Sequence, residues 1–95
     1  MSLEIMFSPE AKETVSAIIV FIRDQWGNKS AEKFVKETYN RIDLISTNPY
    51  IDRALGKDPG VRIAFITPQV SVVYKIHPEH IYLLYFWDNR QQPIP

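Results

Sequence analysis

A cluster of polar side chains follows directly on the last apolar segment of the chain. The segment ends with Tyr85, Phe86 and Trp87, and the polar residues after it are Asp88, Asn89, Arg90, Gln91 and Gln92. A guanidinium group binds an oxyanion through two parallel hydrogen bonds, and a neighbouring carboxylate can hold it in place. Because a merely solvated tail does not need an acid, an arginine and three amides together, this cluster is a candidate binding site at the end of a strand.

Two further cations, Arg62 and Lys75, lie within segments that alternate apolar and polar residues. Side chains on a strand point alternately to its two sides, and Arg62 lies between Val61 and Ile63. We therefore expect Arg62 on the sheet face opposite to the helices, or at the margin of that face. Together with Arg90 it could bind phosphate there. Alternatively, these charges only keep the face hydrated, and the residue types alone leave both interpretations open.

Other catalytic templates find little support in the sequence. The chain has no cysteine, which excludes thiolate chemistry and cysteine-based metal sites. Its three glycines are isolated from one another, so there is no glycine-rich phosphate loop. His77 and His80 share a short turn with Glu79 between them, but no further ligand that would complete a zinc site is suggested nearby. We expect no metal and no cofactor.

Four aromatic residues, Tyr82, Tyr85, Phe86 and Trp87, are concentrated in one predicted strand. Such a group can stack on nucleic acid bases. A small domain also needs large aromatic side chains for its core. We expect most of the four to belong to the core, with about half of them facing the helices.

Length and charge narrow the possible partners. We expect the 95 residues to form one domain over positions 1–95, with an apolar content of 45% that is typical of a globular protein. Eleven basic residues balance eleven acidic ones, which argues against nonspecific electrostatic binding of nucleic acid. No apolar run approaches the length of a membrane helix and no signal peptide is recognisable, so we expect a cytoplasmic protein without a membrane partner.

The first half of the chain predicts one short strand and two helices. Residues 3–7 form the strand, and Ser8 with Pro9 is a typical helix start. The first helix has an apolar stripe at Val15, Ile18, Ile19, Ile22 and Trp26, and ends at Gly27 and Asn28. The second helix is expected from Ser30 to Asn48, with a buried face made of Phe34, Val35, Thr38, Tyr39, Ile42 and Ile45. The short connection makes the two helices an antiparallel hairpin.

The second half predicts a loop and three strands. Residues 49–60 contain prolines and glycines typical of a loop, and alternating segments follow at 61–65, 70–76 and 81–87. Short connections between these strands predict an antiparallel meander. The fold class is therefore α+β, with an N-terminal strand, a two-helix hairpin and a three-stranded meander. The helices pack on one face of the sheet because both apolar stripes must be buried.

A series of short motifs in this order resembles the RelE/ParE toxin superfamily, also called plasmid stabilisation system proteins. The motifs are "FSPEA" at the first helix, "SAEKF" and "NP" in the second, then "GVR", "VVYKI" and the closing "FWDNRQQP". They extend from about residue 4 to residue 93. The closing motif is the most specific of them. The fold of that family, an antiparallel sheet with a helical hairpin, agrees with the architecture predicted from the residues.

The resemblance implies the toxin of a type II toxin–antitoxin pair, neutralised by a cognate antitoxin. ParE-like members poison DNA gyrase, whereas RelE-like members cleave mRNA on the ribosome. We expect a macromolecular target such as gyrase. A ribosome-dependent ribonuclease and a non-toxic protein that only binds an antitoxin are the alternatives.

The resemblance also implies site residues. Arg90 is similar in position to an arginine with which the ribonucleases stabilise charge at the scissile phosphate. Arg62 is similar to a basic position on the first strand of the meander, and Tyr74 to an aromatic position in a strand motif common in the family, so these three are the candidate catalytic residues. Lys75, Asp88, Asn89 and Gln91 are expected to bind the target or the antitoxin. Ser71 and Ala64 stand where the ribonucleases carry cations, so we predict weak ribonuclease activity.

Overall fold

The computed structural model describes residues 2–90 of the chain. Its elements are β1 (Glu4–Phe7), α1 (Pro9–Trp26), α2 (Asn28–Thr47), β2 (Val61–Thr67), β3 (Val70–Ile76) and β4 (His80–Asp88). This order confirms the predicted α+β architecture of one strand, two helices and three strands. In the described part of the chain, neither helix is long and apolar enough to cross a membrane.

The four strands form one sheet in the order β1-β4-β3-β2. β3 pairs antiparallel with both β2 and β4, which confirms the predicted meander. β1 pairs in parallel with β4, with Ile5 opposite Ile81. The sheet is therefore mixed, and the expectation of a wholly antiparallel sheet is wrong. A parallel neighbour is possible because the chain between β1 and β4 is long enough to cross over the sheet.

The helix hairpin covers one face of the sheet, as predicted. Ser8 caps α1, since its Oγ accepts a hydrogen bond from the Ala11 amide at 2.9 Å. Gly27, with a φ of 93°, ends α1 and immediately precedes α2. A residue with a side chain is strained at this φ, so glycine permits the sharp reversal. α2 consequently begins at Asn28, two residues before the predicted start.

The core lies between the hairpin and the sheet. Buried residues of the helices contact buried residues of all strands except β1 in one cluster: Ala11, Ile18, Phe34, Ile42, Ile45, Ala64, Ile66, Val70, Val72, Tyr74, Ile81, Leu83 and Phe86. Two aromatic residues assigned to buried helix faces are instead exposed, Trp26 at 57% and Tyr39 at 61%. Trp26 is the last residue of α1, and Tyr39 lies at the rim of a small cleft between the two helices and β1.

A bulge in β4 decides where its aromatic side chains point. Val73 pairs with Tyr85 but Tyr74 pairs with Leu83, which leaves Leu84 as an extra residue. The extra residue shifts the alternation, so Tyr82, Tyr85 and Trp87 share the face away from the helices. Of the four aromatic residues, Phe86 alone packs in the helix-facing core, where it is 2% exposed. The expectation that about half would face the helices is corrected by this bulge.

Candidate functional site

The residues predicted to share a site lie in two separate places. Arg62 on β2 pairs with Tyr74 near one end of β3. Val70, at the other end of β3, pairs with Asp88, and Arg90 follows two residues later. Four residues of an extended strand span about 13 Å. The structure therefore brings Arg62 and Tyr74 together and keeps Arg90 apart from them.

Arg62 lies on the helix-facing side of the sheet, opposite to its predicted place. Its partner Tyr74 belongs to the core, and paired residues point to the same face. The guanidinium donates from Nε to the Pro59 carbonyl at 2.8 Å and from Nη1 to the Asp52 carbonyl at 2.8 Å. It also lies over the Tyr50 ring, 5.0 Å from its centroid. The loop after α2 folds back along β2, and Arg62 binds the backbone of this loop.

Tyr74 is fully buried at the base of the same loop. Its hydroxyl donates to the Pro49 carbonyl at 2.9 Å and contacts Oδ2 of Asp52 at 3.1 Å. The other carboxylate oxygen of Asp52 accepts a hydrogen bond from Arg41 of α2. Burial, and secondarily the Asp52 charge, raises the pKa of Tyr74 well above its usual value. The phenol therefore stays protonated, and this arrangement anchors the loop.

We predict that Tyr74→Phe lowers the free energy of unfolding by about 1 kcal/mol, because it removes one hydroxyl from a paired, buried position. Its effect on Asp88 and Arg90, near the other end of β3, should be negligible. Urea unfolding measures the first expectation, and the backbone amide signals of Asp88 and Arg90 in nuclear magnetic resonance spectra measure the second. Unchanged stability would contradict the first expectation, and shifted Arg90 signals would contradict the second.

Arg90 and Asp88 form a closely joined ion pair at the end of β4. Asp88 Oδ1 accepts from the Arg90 backbone amide at 2.9 Å and from Nε at 3.0 Å, and Oδ2 accepts from Nη2 at 2.8 Å. The Asp88 side chain is only 12% exposed, whereas that of Arg90 is 40% exposed. The carboxylate thus forms the inner part of the pair, and the guanidinium faces the surface.

Two aromatic rings of α1 complete the surroundings of Arg90. Its guanidinium carbon lies 5.4 Å from the Phe21 ring centroid and 5.5 Å from that of Trp26. Both rings are substantially exposed. A cation over an aromatic face is attracted by the ring quadrupole. We call Phe21, Trp26, Asp88 and Arg90 the Arg90 cluster.

The Arg90 cluster lies where two open clefts meet. One cleft, of about 640 Å³, runs along α1 and β4 and is lined by Ala17, Ile18 and Phe86 together with the cluster residues Phe21, Asp88 and Arg90. The other, of about 310 Å³, opens toward α2 and is lined by Ile22, Trp26, Phe34 and Glu37. A partner could place apolar groups in both clefts and an oxyanion at Arg90 between them. The sequence analysis predicted Arg90 but missed Phe21. The available signal was a large apolar residue outside the buried stripe of α1, which indicates an exposed aromatic ring.

Hydrogen bonds from Arg90 lower the pKa of Asp88 below its usual value. A carboxylate whose pKa is lower in the folded state adds stability above its unfolded pKa of about 3.9, and this stability disappears as the pH falls through the folded value. We predict that the Asp88→Asn variant loses less unfolding free energy than the wild type between pH 5 and pH 2. Urea unfolding across that range measures the difference. Parallel pH profiles would contradict the prediction.

The remaining predicted binding residues have different surroundings. Asn89 donates from Nδ2 to the buried Ser71 hydroxyl at 2.9 Å, so it joins the end of β4 to β3. Lys75 pairs with Asp58 at 3.4 Å on the face away from the helices. Gln91 lies outside the described residues. Ala64 is 1% exposed within the core.

The two histidines of the β3–β4 turn stack on each other. The His77 and His80 ring centroids are 4.5 Å apart, with 12° between the ring planes. Within residues 2–90, no group of three or more histidine, aspartate or glutamate side chains is arranged to hold a metal ion. The turn gives no chemical function to add to the Arg90 cluster.

Comparison with known families gives one match over nearly the whole chain. The family described as ParE toxin of type II toxin-antitoxin system, parDE, matches residues 5–93. No curated protein matches the sequence significantly.

Solved structures with the same fold come from several bacterial toxin–antitoxin systems. A chain of the chromosomal ParDE system from P. aeruginosa has a TM-score of 0.75 and 16% identity, over 92% of this chain and 96% of that one. A chain of the E. coli DinJ-YafQ complex has a TM-score of 0.66 and 15% identity, over 96% and 97%. The YoeB dimer from S. aureus has a TM-score of 0.63 and 21% identity, over 90% and 94%. At these identities the likeness concerns the fold.

Proposed function

The chain belongs to the family of ParE toxins of type II toxin–antitoxin systems, and from this premise we propose that it inhibits bacterial growth by binding DNA gyrase. The Arg90 cluster is the surface that we assign to the target. The observation that carries this assignment is a partly exposed guanidinium that contacts two aromatic rings at the junction of two clefts. Arginine and large aromatic residues dominate the binding energy of protein interfaces. Gyrase and the ribosome are cytoplasmic, and we place this protein there with them.

Binding is favoured over hydrolysis by the state of the titratable groups. A general base must accept a proton near neutral pH. Asp88 is held in an ion pair that lowers its pKa, and Tyr74 lies in the loop anchor with a raised pKa. Arg90 can stabilise negative charge but cannot accept a proton. The described residues of the cluster therefore supply a cation and apolar contacts without a base.

A supercoiling assay with purified gyrase tests the proposal. We expect the protein to inhibit supercoiling of relaxed plasmid in a dose-dependent way, and the Arg90→Ala variant to be inactive at the same concentrations. The Arg23→Ala variant is the matched control, because Arg23 lies on α1 in an exposed pair with Asp24 outside both clefts. Unaffected supercoiling at a concentration that stops growth would contradict gyrase as the target.

A ribosome-dependent ribonuclease is the second candidate. It is favoured by the same exposed guanidinium, which could stabilise a phosphate that gains charge in the transition state. The neutral overall charge and the absence of a base in the cluster reduce the activity expected. Primer extension on an mRNA under translation in a purified system measures it. Strong cleavage that Arg90→Ala abolishes would put this function first.

We also propose that a cognate antitoxin binds the protein. Support comes from the family and from structural neighbours that are toxin–antitoxin complexes, DinJ-YafQ and YoeB-YefM. Co-expression with the protein encoded by the adjacent reading frame, followed by gel filtration, tests this. A stable complex together with an absence of growth inhibition by the free protein would identify the third alternative, a non-toxic antitoxin-binding protein.

A further inference from the structure

We propose that Asp88 occupies the oxyanion position of Arg90, so that the guanidinium engages a partner only when the partner's own oxyanion displaces this carboxylate. The inference rests on the proposed role of Arg90 in target binding and describes how that site is regulated. Asp88 would be an internal competitor: it keeps the site filled in the free protein and sets how strong a partner must be to open it.

The geometry of the pair is that of a bound ligand. A carboxylate or phosphate binds arginine best through two parallel hydrogen bonds to one edge of the guanidinium plane. Asp88 makes both of these bonds, to Nε at 3.0 Å and to Nη2 at 2.8 Å. A second oxyanion at another edge would be repelled by the Asp88 charge across the width of one guanidinium. Asp88 therefore blocks the Nε–Nη2 edge directly and weakens the binding of an external anion at the remaining edge.

The surroundings keep the guanidinium in place when the carboxylate is displaced. Phe21 and Trp26 contact the guanidinium independently of Asp88. The contact between the two rings, with centroids 5.9 Å apart and 74° between planes, stabilises their positions. A preorganised cation loses little entropy when a new anion binds. Exchange of one oxyanion for another thus requires no rebuilding of the cluster.

The charge balance of the clefts supports the same conclusion. Among the described residues, the charged ones that line the two clefts are Arg90, Asp88 and Glu37. These are one cation and two anions, so the clefts repel a free anion while Asp88 is ionised. Removal of the Asp88 charge turns this balance to neutral and leaves Arg90 without its internal partner. The smallest change that does so is Asp88→Asn, since the amide oxygen can still accept from the Arg90 backbone amide.

The test is a titration of wild type and Asp88→Asn with inorganic phosphate, followed through the Arg90 Nε–H signal in nuclear magnetic resonance spectra. We expect the variant to bind phosphate at least about tenfold more tightly, because an ionised competitor has been removed. Asp58→Asn is the matched control. Asp58 also accepts from a backbone amide two residues on, that of Gly60, and pairs with a cation, Lys75, but lies outside both clefts.

Equal or weaker phosphate binding by Asp88→Asn, in a variant whose spectrum shows the native fold, would overturn the proposal. Equally tight binding in Asp58→Asn would also overturn it, since the effect would then be one of net charge. A parallel growth assay distinguishes failure of the internal-competitor proposal from failure of the proposed toxin function. If Asp88→Asn binds phosphate more tightly but neither variant nor wild type inhibits growth, the internal competitor is real and the proposed toxin function fails.

Discussion

The Arg90→Ala variant is expected to abolish growth inhibition while remaining folded. An arginine at the centre of an interface contributes 2 kcal/mol or more to binding, which corresponds to an affinity loss of about 30-fold or more. The cost to stability is smaller. The lost ion pair and ring contacts together lower the free energy of unfolding by about 1 kcal/mol, since the side chain is 40% exposed. Inducible expression with a growth curve, together with a melting curve of the purified variant, measures both effects.

Two further variants make this result specific. Arg90→Lys keeps the charge but loses the planar fork, so we expect it to restore little of the activity. Arg23→Ala removes a half-exposed arginine from the end of α1 that carries Phe21 and Trp26, and it should inhibit growth like the wild type. An Arg90→Ala protein that remains fully toxic would show that the cluster does not contact the target. Loss of the native fold in this variant would assign a structural role to Arg90.

The largest effect on stability is expected from Asp52→Ala. The Asp52 side chain is 12% exposed and accepts hydrogen bonds from Arg41 and from Tyr74. Its removal takes the carboxylate partner from the partly buried Arg41 guanidinium, which keeps only the Phe65 carbonyl, and one contact from the Tyr74 hydroxyl, which keeps the Pro49 carbonyl. The broken ion pair accounts for most of an expected cost of about 2–3 kcal/mol. For a domain of this size, the melting temperature should fall by roughly 10–20 °C.

The matched control lies in the same loop. Asp58 also pairs with a cation, Lys75, but both side chains are about half exposed, at 50% and 43%. Water replaces lost partners at such a position, so Asp58→Ala should change the melting temperature only slightly. Equal losses in the two variants would mean that the loop is held by its general packing and that the Asp52 contacts contribute little. Calorimetry of the three proteins gives the comparison.

Only part of the candidate site could be predicted from the sequence. Arg90 could be predicted because it follows an apolar strand directly, and a strand end is a local feature. Its ring partners lie on α1, more than sixty positions earlier in the chain. Phe21 is not part of the spacing that marks the buried stripe, and no local pattern shows that a distant arginine covers it. Contacts between remote segments depend on how the helix crosses the sheet. The alternation of apolar and polar residues does not determine this crossing.

By itself, the sequence determined the elements and their order. The helix start at Ser8 and Pro9, the helix end at Gly27 and the three later strands each depend on residues close together in the chain. Local sequence patterns therefore predict them. Only the tertiary structure decided which face each strand residue occupies and which strands lie side by side. One extra residue, Leu84, moved Tyr85 and Trp87 away from the core, because side chains alternate with a period of two and a single insertion reverses them. Likewise, the place of Arg62 on the helix side and the parallel pairing of β1 follow from register and crossover, which are set by packing across the whole domain.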